Sequence, residues 1–130
     1  MAKISRYQHK EKVSELRRGD VCLVSFDPTV GCEIQKTRPA LIIQNDVGNQ
    51  YSPLTIVAAI TSKVSPVLYP VEVVVAPSRA SGLSRQSAIR LDQIRTIDRQ
   101  RIVKRLGAAD PATLHKVDEA INISLGLVEI

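Results

Sequence analysis

Arg38 stands in the stretch GCEIQKTRPALIIQND, residues 31–46, which sets a glutamate, a lysine and an arginine directly against a run of apolar, strand-forming residues. Thr61 and Ser62 close a second such run, IVAAITS. The more familiar catalytic kits are missing around them: the sequence holds no Gly-rich phosphate loop, no paired histidines at metal-ligand spacing and no nucleophile elbow. Its two histidines, His9 in a polar N-terminal stretch and His115 on the outer side of a terminal helix, are expected to be solvated. Cys22 and Cys32 are too few and too far apart for a zinc motif and read as free thiols, Cys32 as a buried and inert one. What remains is arginine, hydroxyl and carboxylate groups at loop-to-strand junctions. That kit suits phosphoryl chemistry, because a planar guanidinium holds a phosphate in two places and hydroxyls add donors to its developing charge. The expected chemistry uses no histidine, metal or other cofactor. Each group also has a plain structural role open to it. Arg38 could pair with Glu33 or Asp46, Thr61 could simply end a strand, and Asp92 and Gln93 could be polar turn residues.

The elements that must position these groups are mostly strands. Residues 21–26, 40–44, 54–60 and 71–75 are short, rich in β-branched side chains and separated by turn formers. Residues 88–91 and 94–97 read as two further short strands, and 102–106 as another. The segments DPTVGC, NDVGNQYSP and APSRASGLS concentrate Pro, Gly, Asn, Asp and Ser, and read as loops. Near the end the period changes. Asp110 can cap a helix with Pro111 at its first position, and Leu114, Val117, Ile121 and Leu125 recur at helical spacing. One amphipathic helix is therefore expected to close the chain on a barrel or sheet. No internal repeat is present, and the one boundary falls at about Arg17. It separates a flexible, basic N-terminal extension (1–16) from a folded domain (17–130).

At 130 residues the chain fits one domain with a core of its own. Hydrophobic residues make up 44% and charged residues 24%, and no apolar run approaches the roughly 18 residues a membrane helix needs. The polar start lacks the apolar region of a secretory signal, so a soluble, cytoplasmic protein with no membrane partner is expected. The net charge of +5 is unevenly spread. Residues 1–18 carry six Lys/Arg and two Glu, and residues 79–105 carry eight Lys/Arg against Asp92 and Asp98. The second stretch is a candidate basic face. With three tyrosines and one phenylalanine, extended base stacking on aromatic platforms is not expected to dominate binding.

Five motifs in order, RRGDVCLVSFDPTVGCE, RPALIIQNDVGNQYSP, IVAAITS, LDQIRTID and INISLGL, resemble the MazF/PemK family of toxin endoribonucleases over nearly the whole chain from Arg17. The resemblance implies a small SH3-like β-barrel with helices, shared with the gyrase poison CcdB, and assembled as a homodimer. It implies cleavage of single-stranded RNA at short sequences without metal, leaving a 2′,3′-cyclic phosphate and a 5′-hydroxyl, and neutralisation by an acidic, MazE-like antitoxin. Arg38 takes the place of the family's RP arginine and Thr61 that of its threonine, both set to stabilise the phosphate, with Ser62 assisting. Arg38 is also open to a share of the proton transfer, and Glu33, at the family's glutamate, is the other candidate acid–base group. Asp92 and Gln93 sit where the family reads bases, and Gln93 has the amide that bidentate base recognition uses. Arg18, Cys32, Asn45 and Gln50 complete the implied RNA contacts.

The chain departs from the family's GSEQxGxRP. Cys32 replaces Ser, Ile34 replaces Gln and Lys36 replaces Gly, at unchanged length. Losing the glycine makes the loop less permissive, and losing two polar side chains implies different RNA contacts. Beside the endoribonuclease reading stand two others, a CcdB-like topoisomerase poison and a non-catalytic RNA-binding SH3-like module. The RP and ITS motifs favour the nuclease.

Overall fold

The computed structural model of the protein describes residues 15–67 and 69–129. His9 and the first fourteen residues of the N-terminal extension lie outside the described residues. Leu16, at the end of that extension, is buried in the core.

The β-branched runs form six antiparallel strands: β1 (Asp20–Ser25), β2 (Thr37–Ile42), β3 (Leu54–Thr61), β4 (Glu72–Val75), β5 (Ser87–Asp98) and β6 (Ile102–Ala108). Among the described residues, two helices, α1 (Asp46–Tyr51) and α2 (Pro111–Ser124), and a 3-10 turn at Arg99–Arg101 accompany the strands. The strands lie in one sheet in the order β4-β5-β3-β2-β1-β6. The expected barrel is thus present in strand content and terminal helix, but its ladder is open between β4 and β6. The connection from β4 to β5 spans the gap, where the Ala108 N–H donates to the Ala80 carbonyl at 2.8 Å. Such an approach needs backbones without side chains between them. A Cβ on Gly107 would lie 2.2 Å from the Ala80 oxygen, and one on Gly82, whose φ is 75°, would lie 2.2 Å from the Leu106 oxygen.

Alternation along each strand builds a core on both faces of the sheet. Cys22, Val24, Ala40, Ile42, Val57 and Ala59 pack with Leu16, Phe26, Ile97 and Ile102 on one face. Val21, Leu41, Ala58, Ile60, Ile89 and Leu91 pack with Val117 and Ala120 of α2 on the other. Asp110 caps α2 by accepting the Thr113 N–H at 2.7 Å, with Pro111 at the first position, as the sequence predicts. His115 points outward, its side chain 79% exposed. Leu125, expected on the buried stripe, instead forms the C-cap of α2 and is exposed, because the helix ends one residue before it.

Two further expectations change. The segments 88–91 and 94–97 are one strand, β5, interrupted by a bulge. Ile94 faces Ala58 but Arg90 faces Ala59, so Leu91, Asp92 and Gln93 have no partner in β3. The segment NDVGNQYSP holds the short helix α1, capped by Asn45, which accepts the Gly48 N–H at 2.8 Å. Turn-type residues are also N-cap residues, so composition alone could not separate the two. Asn49 locks α1 onto β3. It is buried, its Oδ1 accepts from the Thr55 hydroxyl at 2.8 Å and from Gln44 at 3.1 Å, and its amide donates to the Gln44 carbonyl.

Gly107→Ala should lower stability by about 1–3 kcal/mol, because the Ala80–Ser81 backbone that the added methyl would meet must move. Urea unfolding of the two proteins measures this. An unchanged midpoint would show that the β4–β5 connection does not bear on β6 in solution.

Candidate functional site

Strand pairing brings the two leading residues together. Arg38, second in β2, faces Val24 of β1. In the β2–β3 register Ala40 faces Ala59, and continuing it by two residues sets Arg38 opposite Thr61, the last residue of β3. Both open into a cavity of about 570 Å³ that is also lined by Cys32, Glu33, Ser62, Lys63, Arg85 and Gln93. A second depression of about 610 Å³ lies alongside, lined by Asp92, Arg95, Phe26 and Ile94. It shares Cys32, Glu33, Ile34, Arg90 and Gln93 with the first. The loop from residue 27 to 36 and the bulge of β5 therefore form the ridge between the two.

Of the four cations that line the first cavity, Arg90 is paired with Asp92 and the other three are not. Arg38, Lys63 and Arg85 have no carboxylate within ion-pair distance among the described residues. The alternative pairings of Arg38 are not made: the Glu33 carboxylate accepts the Val30 N–H at 2.5 Å, and that of Asp46 accepts the Arg18 N–H at 2.6 Å. Thr61 Oγ1 accepts the Lys63 N–H at 3.1 Å, which leaves the hydroxyl proton available for a ligand. Most of the basic stretch from Arg79 to Arg105, by contrast, is structural. Arg95 donates to the Phe26 carbonyl at 2.7 Å and lies over the Phe26 ring, and Arg101 donates to the Ser25 and Asp27 carbonyls. Arg99 donates to the Asn49 carbonyl, and Arg105 pairs with Asp20.

The sequence expectations divide accordingly. Arg38, Thr61, Glu33, Cys32, Ser62 and Gln93 meet at one cavity, and Asp92 lines the depression beside it. Arg18, Asn45 and Gln50 lie at the other end of the sheet. Arg18 bonds the Ile43 carbonyl and Asp118, Asn45 caps α1, and Gln50 is exposed on α1. Cys32, expected to be buried, is exposed, because the loop turns it outward between Gly31 and Glu33. Gln93 has both ends of its amide engaged: its Oε1 accepts the Ile34 N–H at 3.0 Å, and its Nε2 donates to the Cys32 carbonyl at 3.4 Å. Lys63 and Arg85 are cavity residues that motif reading passed over. Lys63 directly follows ITS, and Arg85 lies inside the basic stretch, but only the fold separates it from its structural neighbours. Among the described residues no three His, Cys, Asp or Glu side chains cluster so as to hold a metal ion.

The altered loop has its own physical account. Ile34 packs against the core face that holds Phe26 and Cys22, which fixes the middle of the loop by apolar contact. Lys36 takes the left-handed conformation at φ 64°, which costs an L-residue about 1–2 kcal/mol, while its N–H is held by Asp27 Oδ1 at 2.8 Å.

At the ridge, Arg90 grips Asp92 with two bonds of 2.8 and 2.7 Å, and this guanidinium holds the Asp92 carboxyl below the usual carboxylate range. The folded state then binds a proton at Asp92 more weakly than the unfolded state does. The stabilisation is present above the ordinary carboxylate pKa and is lost as pH falls through the lowered one. Because the pair is partly exposed, Asp92→Asn should cost only about 0.2–1 kcal/mol at neutral pH, and the difference should vanish in strong acid. Unfolding midpoints of both proteins across the acid range check the sign. A gap that widens on acidification would contradict it.

Comparison with known proteins places the chain in a family. Residues 17–125 match the family described as PemK-like, MazF-like toxin of type II toxin–antitoxin system. The chain is 45% identical to endoribonuclease EndoA of Bacillus subtilis over 88% of its own length and 97% of that protein's. It is 44% identical to endoribonuclease MazF of Staphylococcus saprophyticus, covering 86% and 92% of the two chains. Among solved structures, MazF of Deinococcus radiodurans superposes with a TM-score of 0.72 at 25% identity over 85% of this chain and 96% of that one. A MazE–MazF structure from the same organism does so with 0.68 at 27% identity, over 88% and 98%. With a family model matched over most of the chain and curated relatives aligned over nearly their full lengths, the chain belongs to the PemK-like, MazF-like toxin family of type II toxin–antitoxin systems.

Proposed function

We propose that this chain, an endoribonuclease of its toxin family, cuts single-stranded RNA by turning the RNA's own 2′-hydroxyl on the adjacent phosphorus. The observation that carries the reading is the grouping of Arg38, Lys63 and Arg85, without carboxylate partners among the described residues, around the hydroxyls of Thr61 and Ser62 in one cavity. Three cations in one concavity suit a polyanion, and the hydroxyls suit the oxygens of one phosphate.

In the step, the bond from the 2′-oxygen to phosphorus forms and the bond from phosphorus to the 5′-oxygen breaks. The 2′-hydroxyl gives up its proton, and the departing 5′-oxygen takes one. The products are a 2′,3′-cyclic phosphate and a 5′-hydroxyl. Arg38 binds the phosphate and Thr61 donates its hydroxyl to the charge that develops on it. Glu33, which borders both depressions, is the group that moves protons. Arg38 and Thr61 act on the charge of the phosphate as fixed hydrogen-bond donors. The ridge of Asp92 and Gln93 separates the cleavage cavity from a neighbouring space of nucleotide size, which suits reading of a flanking base.

The working unit in this reading is a homodimer of 17–130 domains, each preceded by the basic extension 1–16, in the cytoplasm. No helix among the described residues is long and apolar enough to cross a membrane. An acidic, MazE-like antitoxin segment would occupy the same cationic surface by imitating the phosphate chain, a proposal in keeping with the relative solved together with MazE.

RNA incubated with the protein in excess chelator should be cut, and the same RNA with one 2′-deoxy sugar at the cut position should bind and stay intact. Equal cleavage of both would exclude attack by the 2′-hydroxyl. Arg38→Ala and Thr61→Ala should each lower turnover by about 10²-fold or more, the scale of losing one preorganised donor. A folded Arg38→Ala protein with full turnover would return that arginine to a structural role.

A further inference from the structure

The loop that carries Glu33 is held by hydrogen bonds at its stem, by the packing of Ile34 on the core, and by hydrogen bonds at one point near its tip. At the stem, Arg95 and Arg101 bond the carbonyls of Ser25, Phe26 and Asp27, and the Phe26 N–H donates to the Lys36 carbonyl at 2.9 Å. At the tip, Val30 to Glu33 is a self-contained turn. The Glu33 N–H donates to the Val30 carbonyl at 3.2 Å, and its carboxylate accepts the Val30 N–H at 2.5 Å. Among the described residues, the hydrogen bonds that reach this turn from outside the loop both come from Gln93. They land on Cys32 and Ile34, the two neighbours of Glu33. Gln93 can reach across because it lies in the bulge of β5, where the ladder to β3 is interrupted.

We propose that Gln93 is a positioning residue for Glu33. Its amide grips the backbone on either side of the glutamate and so fixes where the whole turn, carboxylate included, stands relative to Arg38 and Thr61. The inference rests on the acid–base role given to Glu33. It differs from direct reading of a base by Gln93, which would use the second lone pair of Oε1 and the second N–H of Nε2 and place the RNA itself on the amide. One bond of the grip needs an acceptor and the other a donor, so the two can be separated. Gln93→Glu keeps the acceptor for the Ile34 N–H and loses the donor to Cys32, whereas Gln93→Leu loses both at similar volume.

Two measurements test the proposal. In the protein without RNA, iodoacetamide reports the turn through Cys32, which is exposed. Cys22 stays silent, because it is buried and its thiol is pushed up to about 12. Gln93→Leu should alkylate Cys32 several-fold faster than wild type, and Gln93→Glu should fall between. Steady-state cleavage gives the second readout. Gln93→Leu should lower kcat by about 10- to 100-fold with KM within about twofold, as misplacement of a catalytic group does. In a Glu33→Gln background the same substitution should cost less than about twofold, because what it positions is already gone. An unchanged alkylation rate would overturn the proposal. So would a full loss repeated in the Glu33→Gln background together with a raised KM, which would show that Gln93 touches the RNA itself. If the wild-type protein leaves RNA uncut, the proposed function falls, while the thiol readout still decides whether Gln93 holds the turn.

Discussion

Three residues of β5 have no partner in β3, and the rest of the site depends on them. Leu91, Asp92 and Gln93 stand between the pairs Ile94–Ala58 and Arg90–Ala59. Because the number is odd, the facing of side chains inverts across the bulge. Leu91 joins the core face that packs on α2, while Ile97, six residues on, joins the opposite face, although an unbroken strand would set both on one side. The bulge thus lets a single strand serve both cores. It also turns two polar residues out of the ladder at the edge of the cavity, where Asp92 meets Arg90 and Gln93 meets the loop.

Charge in this chain does two separate jobs, and geometry sorts them. Arg95, Arg99 and Arg101 donate to main-chain carbonyls, and Arg90 and Arg105 grip carboxylates. Long guanidinium side chains are suited to this, because they span from one element to the backbone of another with several donors. Arg38, Lys63 and Arg85 stay uncompensated and converge. Three cations left without a carboxylate at one cavity give it a field that the net charge alone does not describe.

The loop between β1 and β2 shows how the departures from the family pattern are accommodated. Ile34 exchanges a polar contact for apolar packing on the core, and Lys36 takes a left-handed backbone conformation, so the loop keeps its length. These changes fix the loop from beneath, Gln93 fixes it from the side, and the turn that bears Glu33 and Cys32 is left exposed at the rim.

Much was legible in the sequence, because alternation of apolar residues and capping chemistry are local. The strands, the capped terminal helix and the RP and ITS motifs all follow from residues close together in the chain. Sequence order also brings Arg38, Thr61 and Glu33 forward as candidates, since each is carried by a motif. Other features depend on which strands lie side by side. Composition showed a gap between residues 91 and 94, but only pairing with β3 reveals it as a bulge within one strand. Asn45 looked like a loop residue until a helix formed behind it. Arg18, Asn45 and Gln50 belong to motifs of the same family, yet the antiparallel course of β1 and β2 carries them to the end of the sheet away from Arg38. Which arginines are spent on carbonyls, and which are left for a ligand, is set by distances between residues 25 to 76 positions apart. Local sequence does not encode such distances; the tertiary fold creates them.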